Sequence, residues 1–397
     1  MNGLYGHSCP ACGGLHATNA DMAVRFNKDA LAEALQVIYD GMDVRDKIEG
    51  HIFRETLRLF NEATAEGLAM TGGATHNELF YRQLRSNNEV FSAFRTHRMQ
   101  NDVAARLLDE NGKLKPFDTW VRDIQGITDH YVRSWLKTEY DTAIIRAHQA
   151  AEWQQFEQEA DVFPNVRWMP TTSIQPDPLH RVYWEQKLTL PINHPFWERH
   201  HPGDRWSCKC TLEQTDSPVN DTAIRSSSPT PPQPGLDNNP ARDGKLFSNT
   251  HPYYTEAYPG AWKAADRLLN AQNAVRIRRK EIQKQAEFLK NERLDNPGFP
   301  QEIQVTGKAV KEWLNQPHRH YAEKNELLPG IRNVIRDAVY RGWTPYHKGN
   351  PMYVRSHIFE TEVLGDKSWI IVREDIHGNM VLHSISDSPK VLDGIRK

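Results

Sequence analysis

A multidomain chain is predicted. It has a mainly α N-terminal module with an irregular Cys/His-rich β/loop subdomain, then a linker, then a small C-terminal α+β domain with an antiparallel sheet. Three observations carry this. Apolar residues recur at helical spacing up to about residue 160. A segment dense in Pro, His and aromatic residues, with no helical period, follows at 161–212. Strand-like runs with a turn signal close the chain, after a short helical stretch.

The size fits this organisation. At about 100–200 residues per domain, 397 residues make two or three domains. Only 38% of residues are hydrophobic and mean hydropathy is -0.71, so long exposed helices or linkers should accompany a modest core. The formal net charge of -2 excludes a chain that is basic throughout, while leaving local basic patches open. No run approaches ~18 apolar residues, so no spanning helix and no membrane partner are expected. The N-terminus lacks a charged region followed by an apolar one, so no secretory leader is expected.

The elements follow in order. Residues 1–20 form a Cys/His tail around HSCPACGGLH. A module at 21–215 begins with Leu31, Leu35, Ile38, Tyr39 and Met42 on one helical stripe. Ile48, Ile52, Phe53, Leu57 and Phe60 predict a second helix, and Gly72-Gly73 a break before further helices. NGKLKP at 111–116 reads as a turn or hairpin. One long helix is predicted over 118–160, with Trp120, Ile124, Ile127, Tyr131 and Trp135 on a stripe. Residues 216–262, with SSSPTPPQPG, read as an extended, mobile linker. Residues 263–295 read as a basic amphipathic helix, and 296–397 as the C-terminal domain. There Val334, Ile335 and Val339 suggest a helix. MYVRSHIFETEV, SWIIVRED and NMVLHSIS suggest three strands, the last two joined by an IHGN turn.

Four constellations bear on chemistry. Cys208 and Cys210 lie in a loop-rich segment with His180, His194, His200 and His201. Thiolates and imidazoles suit a tetrahedral zinc ion, which would order so polar a segment. The alternative is two inert packed cysteines among solvated histidines. Cys9 and Cys12 form a Cys-x-x-Cys that His7 and His16, or Cys208 and Cys210, would complete; otherwise it is a functionless tip. In the C-terminal domain, His320, His357, Arg373 and Ser386, with His383 and Ser384 as alternates, could line a metal-free ribonuclease site. One group would take the 2′-OH proton, an acid would protonate the leaving oxygen, and Arg would stabilise the phosphorane. They read equally as polar residues on a solvated sheet face. Finally, Arg276, Arg278, Arg279 and Lys280 could contact phosphates of RNA or packaged DNA, although interleaved Glu281 and Glu287 also suit a solvated helix. Walker, Gly-x-Ser-x-Gly and His-Glu-x-x-His motifs are absent, which disfavours nucleotide hydrolases, serine hydrolases and zincin proteases.

Two segments resemble known families. KTEYDTAIIRAHQAAEW, PDPLHRVYW and HHPGDRWSCKC, within about 120–212, resemble the Mu F-like head morphogenesis (minor capsid) family of tailed phages. GLDNNPARDGKLFSNTHPYY is similar to a tail that follows this module in some relatives. The resemblance implies a minor head component near the portal, with portal and major capsid proteins as partners. It also implies that His180, Cys208 and Cys210 form a structural cluster. The virion head and the host cytoplasm are the implied locations. HRHYAEKNELLPGI, HIFE, SWIIVRED and VLHSISDS resemble phage-borne nucleases of the barnase/EndoU/colicin/RelE-like superfamily. That implies metal-independent RNA cleavage by the His, Arg and Ser residues named above. A purely structural protein with an inactive C-terminal domain is the rival expectation.

Overall fold

The computed structural model describes residues 25–71, 78–171, 178–225, 229–315, 320–346 and 350–396. Cys9 and Cys12 lie outside the described residues. The chain divides into two compact units, Met1–Leu269 and Asn270–Lys397. It is helix-rich in the first and built on a mostly antiparallel sheet in the second. Among the described residues no helix is long and apolar enough to cross a membrane.

The first unit opens with helices α1 (Lys28–Tyr39), α2 (Gly50–Ala69) and α3 (Glu78–Ala104). Side-chain oxygens of Asn27 and Glu49 accept from the otherwise unpaired first amides of α1 and α2. The predicted long helix is in fact broken into α4 (Phe117–Asp123), α5 (Gln125–Asp129), a π-helical turn and α6 (Trp135–Gln158). The first break falls at Ile124–Gly126, where a glycine weakens helix propagation. The expected stripe is still used: Trp120, Ile124, Tyr131 and Trp135 are buried. Helix α2 packs on α6, and Gly67 permits the approach, since a Cβ there would lie 2.3 Å from the Ile144 carbonyl oxygen. Burying so much helix surface also buries charge. Arg95 Nε meets Glu139 at 2.7 Å, both fully buried, and Tyr253 donates to the other Glu139 oxygen at 2.8 Å.

A small three-stranded antiparallel sheet follows, in the order β2 (Thr189–Pro191), β1 (Asn165–Met169), β3 (Thr211–Thr215). Helix α7 (Pro178–Glu185) packs on it. This subdomain has its own core of Trp153, Trp168, Tyr183, Leu190, Phe196 and Trp197. It is better packed than its composition suggested, because large rings fill it.

The expected linker is not a linker. Leu236, Leu246, Phe247, Tyr253 and Tyr254 are buried in the helical core of the first unit. The reason is Arg146 on α6, which is fully buried. Its guanidinium donates to the carbonyls of Leu246 (2.6 Å), Gly203 (2.8 Å), Leu236 (3.2 Å) and Asn238 (3.0 Å), and to Asn238 Oδ1 at 2.6 Å. One side chain thereby satisfies the backbone of a segment with little regular structure.

Helix α8 (Ala261–Gln285) crosses the boundary between units. It ends ten residues earlier than expected, because Leu289 and Leu294 turn into the core of the second unit. That unit has six strands, β4 (Arg293–Asn296), β5 (Phe299–Gln304), β6 (Val339–Pro345), β7 (Tyr353–Val363), β8 (Asp366–Asp375) and β9 (Met380–Ser386). The order is β4-β5-β9-β8-β7-β6, with β5–β9 the parallel pair. The helices α9 (Gly307–Asn315), α10 (Tyr321–Glu326) and α11 (Ile331–Asp337) lie between β5 and β6 in sequence. Phe359, Ile370, Val372, Leu382 and Ile385 form the core face of the sheet.

Candidate functional site

The metal-ligand expectation is the one the fold gathers best. Helix α7 carries His180, and the loop entering β3 carries Cys208 and Cys210. The His180 Nδ1 lies 3.4 Å from Cys208 Sγ and 3.8 Å from Cys210 Sγ. A tetrahedral site with metal–ligand bonds of about 2.0–2.3 Å separates its ligand atoms by roughly 3.5–3.8 Å, so these spacings fit. All three ligand atoms lie within 4.8 Å of one another, and all three residues are buried. The cluster can hold a metal ion.

Sequence reasoning missed Asp204, which orients the histidine. Its carboxylate meets His180 Nε2 at 2.7 Å and His200 Nδ1 at 3.3 Å. With Nε2 engaged by the carboxylate, Nδ1 faces the sulfurs. Carboxylate–histidine pairs of this kind support metal-bound histidines. Asp204 stands four residues before Cys208 in the PGDRWSCKC run, and that proximity was the available signal.

The electrostatics agree with a site built for a cation. Hydrogen bonding from Cys210, followed by the charge of His180, holds Cys208 well below the usual thiol range despite its burial. The Cys208 sulfur, together with burial, pushes Cys210 far up. Two negative charges side by side are unfavourable, so the acidities of the two close thiols are driven apart. Burial disfavours a charged His180 ring, but Asp204 and Cys208 outweigh it and hold that ring well above the imidazole range. Burial likewise opposes the Asp204 charge, but His180 outweighs it and keeps that carboxyl low.

The other histidines of the segment serve the fold. His194 Nδ1 accepts from the Phe196 amide at 3.2 Å. His200 stacks on Phe196. His201 is buried between the carbonyls of Pro202 and Asn238, and burial pushes it down to about 4.

The ribonuclease candidates do not meet in one cleft. Cross-strand partners share a face and neighbours along a strand alternate. His357 pairs with Val372 and therefore lies on the core face. There its Nδ1 is 2.9 Å from the Tyr340 hydroxyl and its Nε2 is 3.1 Å from Glu374. Burial, with Arg355 nearby, lowers its pKa against the pull of Glu374. Arg373 pairs with Ser356 on the reverse face, beside Tyr346 and Tyr353. Ser384 and Ser386 pair with Ile371 and Trp369, also on the reverse face. His383 is the extra residue where the β8–β9 register shifts, since Ile371 pairs with Ser384 and Val372 with Leu382. Strand alternation thus separates the residues that looked adjacent in sequence.

His320 lies off the strands, just before helix α10. It lines an open pocket of about 480 Å³ with Lys324, Asp366, Lys367 and Asp387. The backbone of His320 is left-handed (φ 56°), and its Nε2 meets Asp366 at 2.8 Å. Lys324 is buried with its amine 3.2 Å from Asp387. Lys324, Asp366 and Asp387 carried no sequence signal, because helix α10, the β7–β8 turn and the end of β9 meet only in the fold.

The basic run on α8 is partly consumed by its own unit. Arg278 pairs with Glu326 at 2.5 Å and Glu281 at 3.0 Å. Arg279 donates to the Leu314 carbonyl at 3.2 Å and to Asn315. Arg276 and Lys280 are exposed.

Residues 273–383 match the model of a family described as large polyvalent protein-associated domain 3. The match spans just over a quarter of the chain, from within α8 into β9, and lies wholly in the second unit. No curated protein matches the chain. No solved structure matches it either.

Proposed function

We propose that this is a phage-encoded head-associated protein whose first unit is clasped by a structural zinc ion. The observation that carries the zinc reading is the buried set of two cysteine sulfurs and one histidine ring, with Asp204 behind the ring. Sulfur and imidazole donors favour zinc over magnesium or calcium. Burial of all three donors favours a structural role, in which a fourth ligand closes the site; the described residues gather three. Bound there, zinc would neutralise the thiolates and tie α7 to the loop entering β3. The phage reading rests on the Mu F-like motifs of the first unit and on the polyvalent-protein match of the second. Portal and major capsid proteins are the partners this reading names.

The zinc reading is tested by metal analysis of the purified full chain beside Cys208→Ser and His180→Ala. One zinc per chain is expected, falling to a small fraction in either variant, with loss of folded structure in the first unit. Protein that is folded and metal-free after preparation without chelators would overturn it. The head reading is tested by mass spectrometry of particles purified from the encoding phage. Absence of the chain from heads at every assembly stage would overturn it.

The pocket at His320 favours a second reading, RNA cleavage without metal. There His320, held by Asp366, would accept the 2′-OH proton as the 2′-oxygen bonds to phosphorus, the P–O5′ bond would break with water protonating the departing 5′-oxygen, and Lys324 would stabilise charge on the phosphorane. The assay is release of 2′,3′-cyclic phosphate ends from RNA by the full chain. Activity lost in His320→Ala and Lys324→Met but kept in Ser386→Ala is expected. Activity insensitive to both pocket variants would overturn it.

A further inference from the structure

The outer edge of the six-stranded sheet gathers arginines and rings that neither reading above uses. On the core face of the strand ends, two guanidiniums lie near the Trp343 ring, Arg355 at 4.4 Å and Arg396 at 5.2 Å from its centre. On the reverse face, the Arg373 guanidinium lies 4.9 Å from the Tyr346 ring and 5.1 Å from the Tyr353 ring. The three rings are half-buried, and Arg355 and Arg396 are exposed. The arrangement is built rather than accidental. Gly342 has φ 130°, and a Cβ there would lie 2.2 Å from the Arg396 carbonyl oxygen. Its absence lets the C-terminal segment pair with Trp343 by two 2.8 Å backbone bonds and so places Arg396 over the ring.

These arginines differ from those that serve the fold. On the same strand, Arg341 makes two 3.0 Å bonds to Glu360. Among the described residues, no carboxylate pairs with Arg373 or Arg396. Arg355 has Glu374 at 3.5 Å, a carboxylate that already holds His357 at 3.1 Å. The surrounding charge is favourable too. Residues 270–397 hold 21 Lys/Arg against 16 Asp/Glu, a net of +5, while residues 1–269 hold 28 against 35, a net of -7.

We propose that this edge binds single-stranded nucleic acid. Phosphates would meet the guanidiniums of Arg355, Arg373 and Arg396, and bases would stack on Trp343, Tyr346 and Tyr353. Charge without rings would suit any polyanion, and rings without charge would suit an apolar partner. Their combination suits a strand that offers a phosphate and a free base face at every step. A duplex keeps its base faces stacked inside and gains only the phosphate contacts. The edge lies at the opposite end of β7 and β8 from the β7–β8 turn, which lines the His320 pocket, so the proposal rests on neither reading above.

The test is fluorescence anisotropy of labelled dT12 and rU12 with the full chain, with a 12-base-pair duplex as competitor. Three single-strand phosphate contacts give a salt slope of about -2, or ~20-fold weaker binding between 50 and 200 mM salt. Each of Arg355→Gln, Arg373→Gln and Arg396→Gln should reduce that slope by about 0.7. Trp343→Leu should weaken binding about tenfold while keeping the slope. Replacing all three arginines by Lys should keep most of the slope and provides a folded control if the triple Gln variant fails to fold. Three results would overturn the proposal. One is no salt-dependent binding by folded protein. Another is duplex competing as well as single strands. The third is a loss that follows Arg276→Gln/Lys280→Gln on α8 and spares the edge variants.

Discussion

Replacing Arg146 by Met should unfasten a whole segment from the first unit. The native guanidinium is fully buried, and burial pushes its pKa down to about 10, so it is still charged at neutral pH. It donates to four backbone carbonyls and one side-chain oxygen, all belonging to residues 203–246. Methionine keeps the apolar stem and deletes every donor. Each buried acceptor left unpaired costs about 1–3 kcal/mol, but the costs are not additive because the loop can relax to water. With five acceptors losing their donor and some relaxing to water, a loss of about 3–5 kcal/mol is expected here. It is a large share of the ~5–15 kcal/mol that holds a domain. The assay is hydrogen exchange followed peptide by peptide, since two units need not unfold together. Protection should fall most at 229–254, where Leu236 and Ser248 amides are bonded within the segment, and remain unchanged in the second unit. A loss below about 1 kcal/mol, with protection at 229–254 intact, would refute the idea that this one side chain organises the segment.

Other outcomes follow from the same geometry. If the proposed zinc binds, Asp204→Asn should weaken its affinity by about 10–100-fold in a chelator competition while leaving His180, Cys208 and Cys210 in place; an unchanged affinity would show that the carboxylate does not orient His180. His251 is fully buried, and burial with Arg95 nearby pushes it down to about 3. The unfolded ring titrates near ~6.5 and takes up a proton that the folded one refuses. Its contribution to stability is therefore full above that pH and is lost as pH falls toward ~3. His251→Asn retains an acceptor for the Tyr253 amide and should flatten the acid limb of the melting profile of the first unit; an unchanged limb would count against it. Gly67→Ala should cost about 1–3 kcal/mol through its clash with α6, read as a lower melting temperature for the first unit. A neutral effect would mean that α2 and α6 can separate freely.

The local patterns were legible because they are set by side-chain period and turn chemistry. Helical stripes at Leu35, Ile38, Ile52 and Phe60 are buried as expected. The last three strands fall within two residues of the runs read from the sequence, with the IHGN turn between β8 and β9. Spacing also pointed to His180, Cys208 and Cys210, since soft donors in a core-poor segment are a chemical signal by themselves. Asp204 was not singled out, because an aspartate in a polar loop looks like any other until a histidine is brought against it.

The remaining features belong to contacts between residues far apart in the chain. A Pro-rich segment reads as a linker on composition, yet Arg146, about 90 residues upstream of Asn238, supplies the hydrogen bonds that let it be buried. His357 and Arg373 lie on neighbouring strands, but registry sends them to opposite faces. His320 finds Asp366, and Lys324 finds Asp387, only when a helix, a hairpin turn and a strand end converge. Sequence by itself indicated the first helices, the last three strands and the soft donors His180, Cys208 and Cys210, because these follow from near-neighbour sterics and intrinsic ligand chemistry, whereas Val339, read as helical, instead opens β6. Tertiary structure alone decided which polar groups are buried together, because pairing in low dielectric depends on distances that no local spacing encodes.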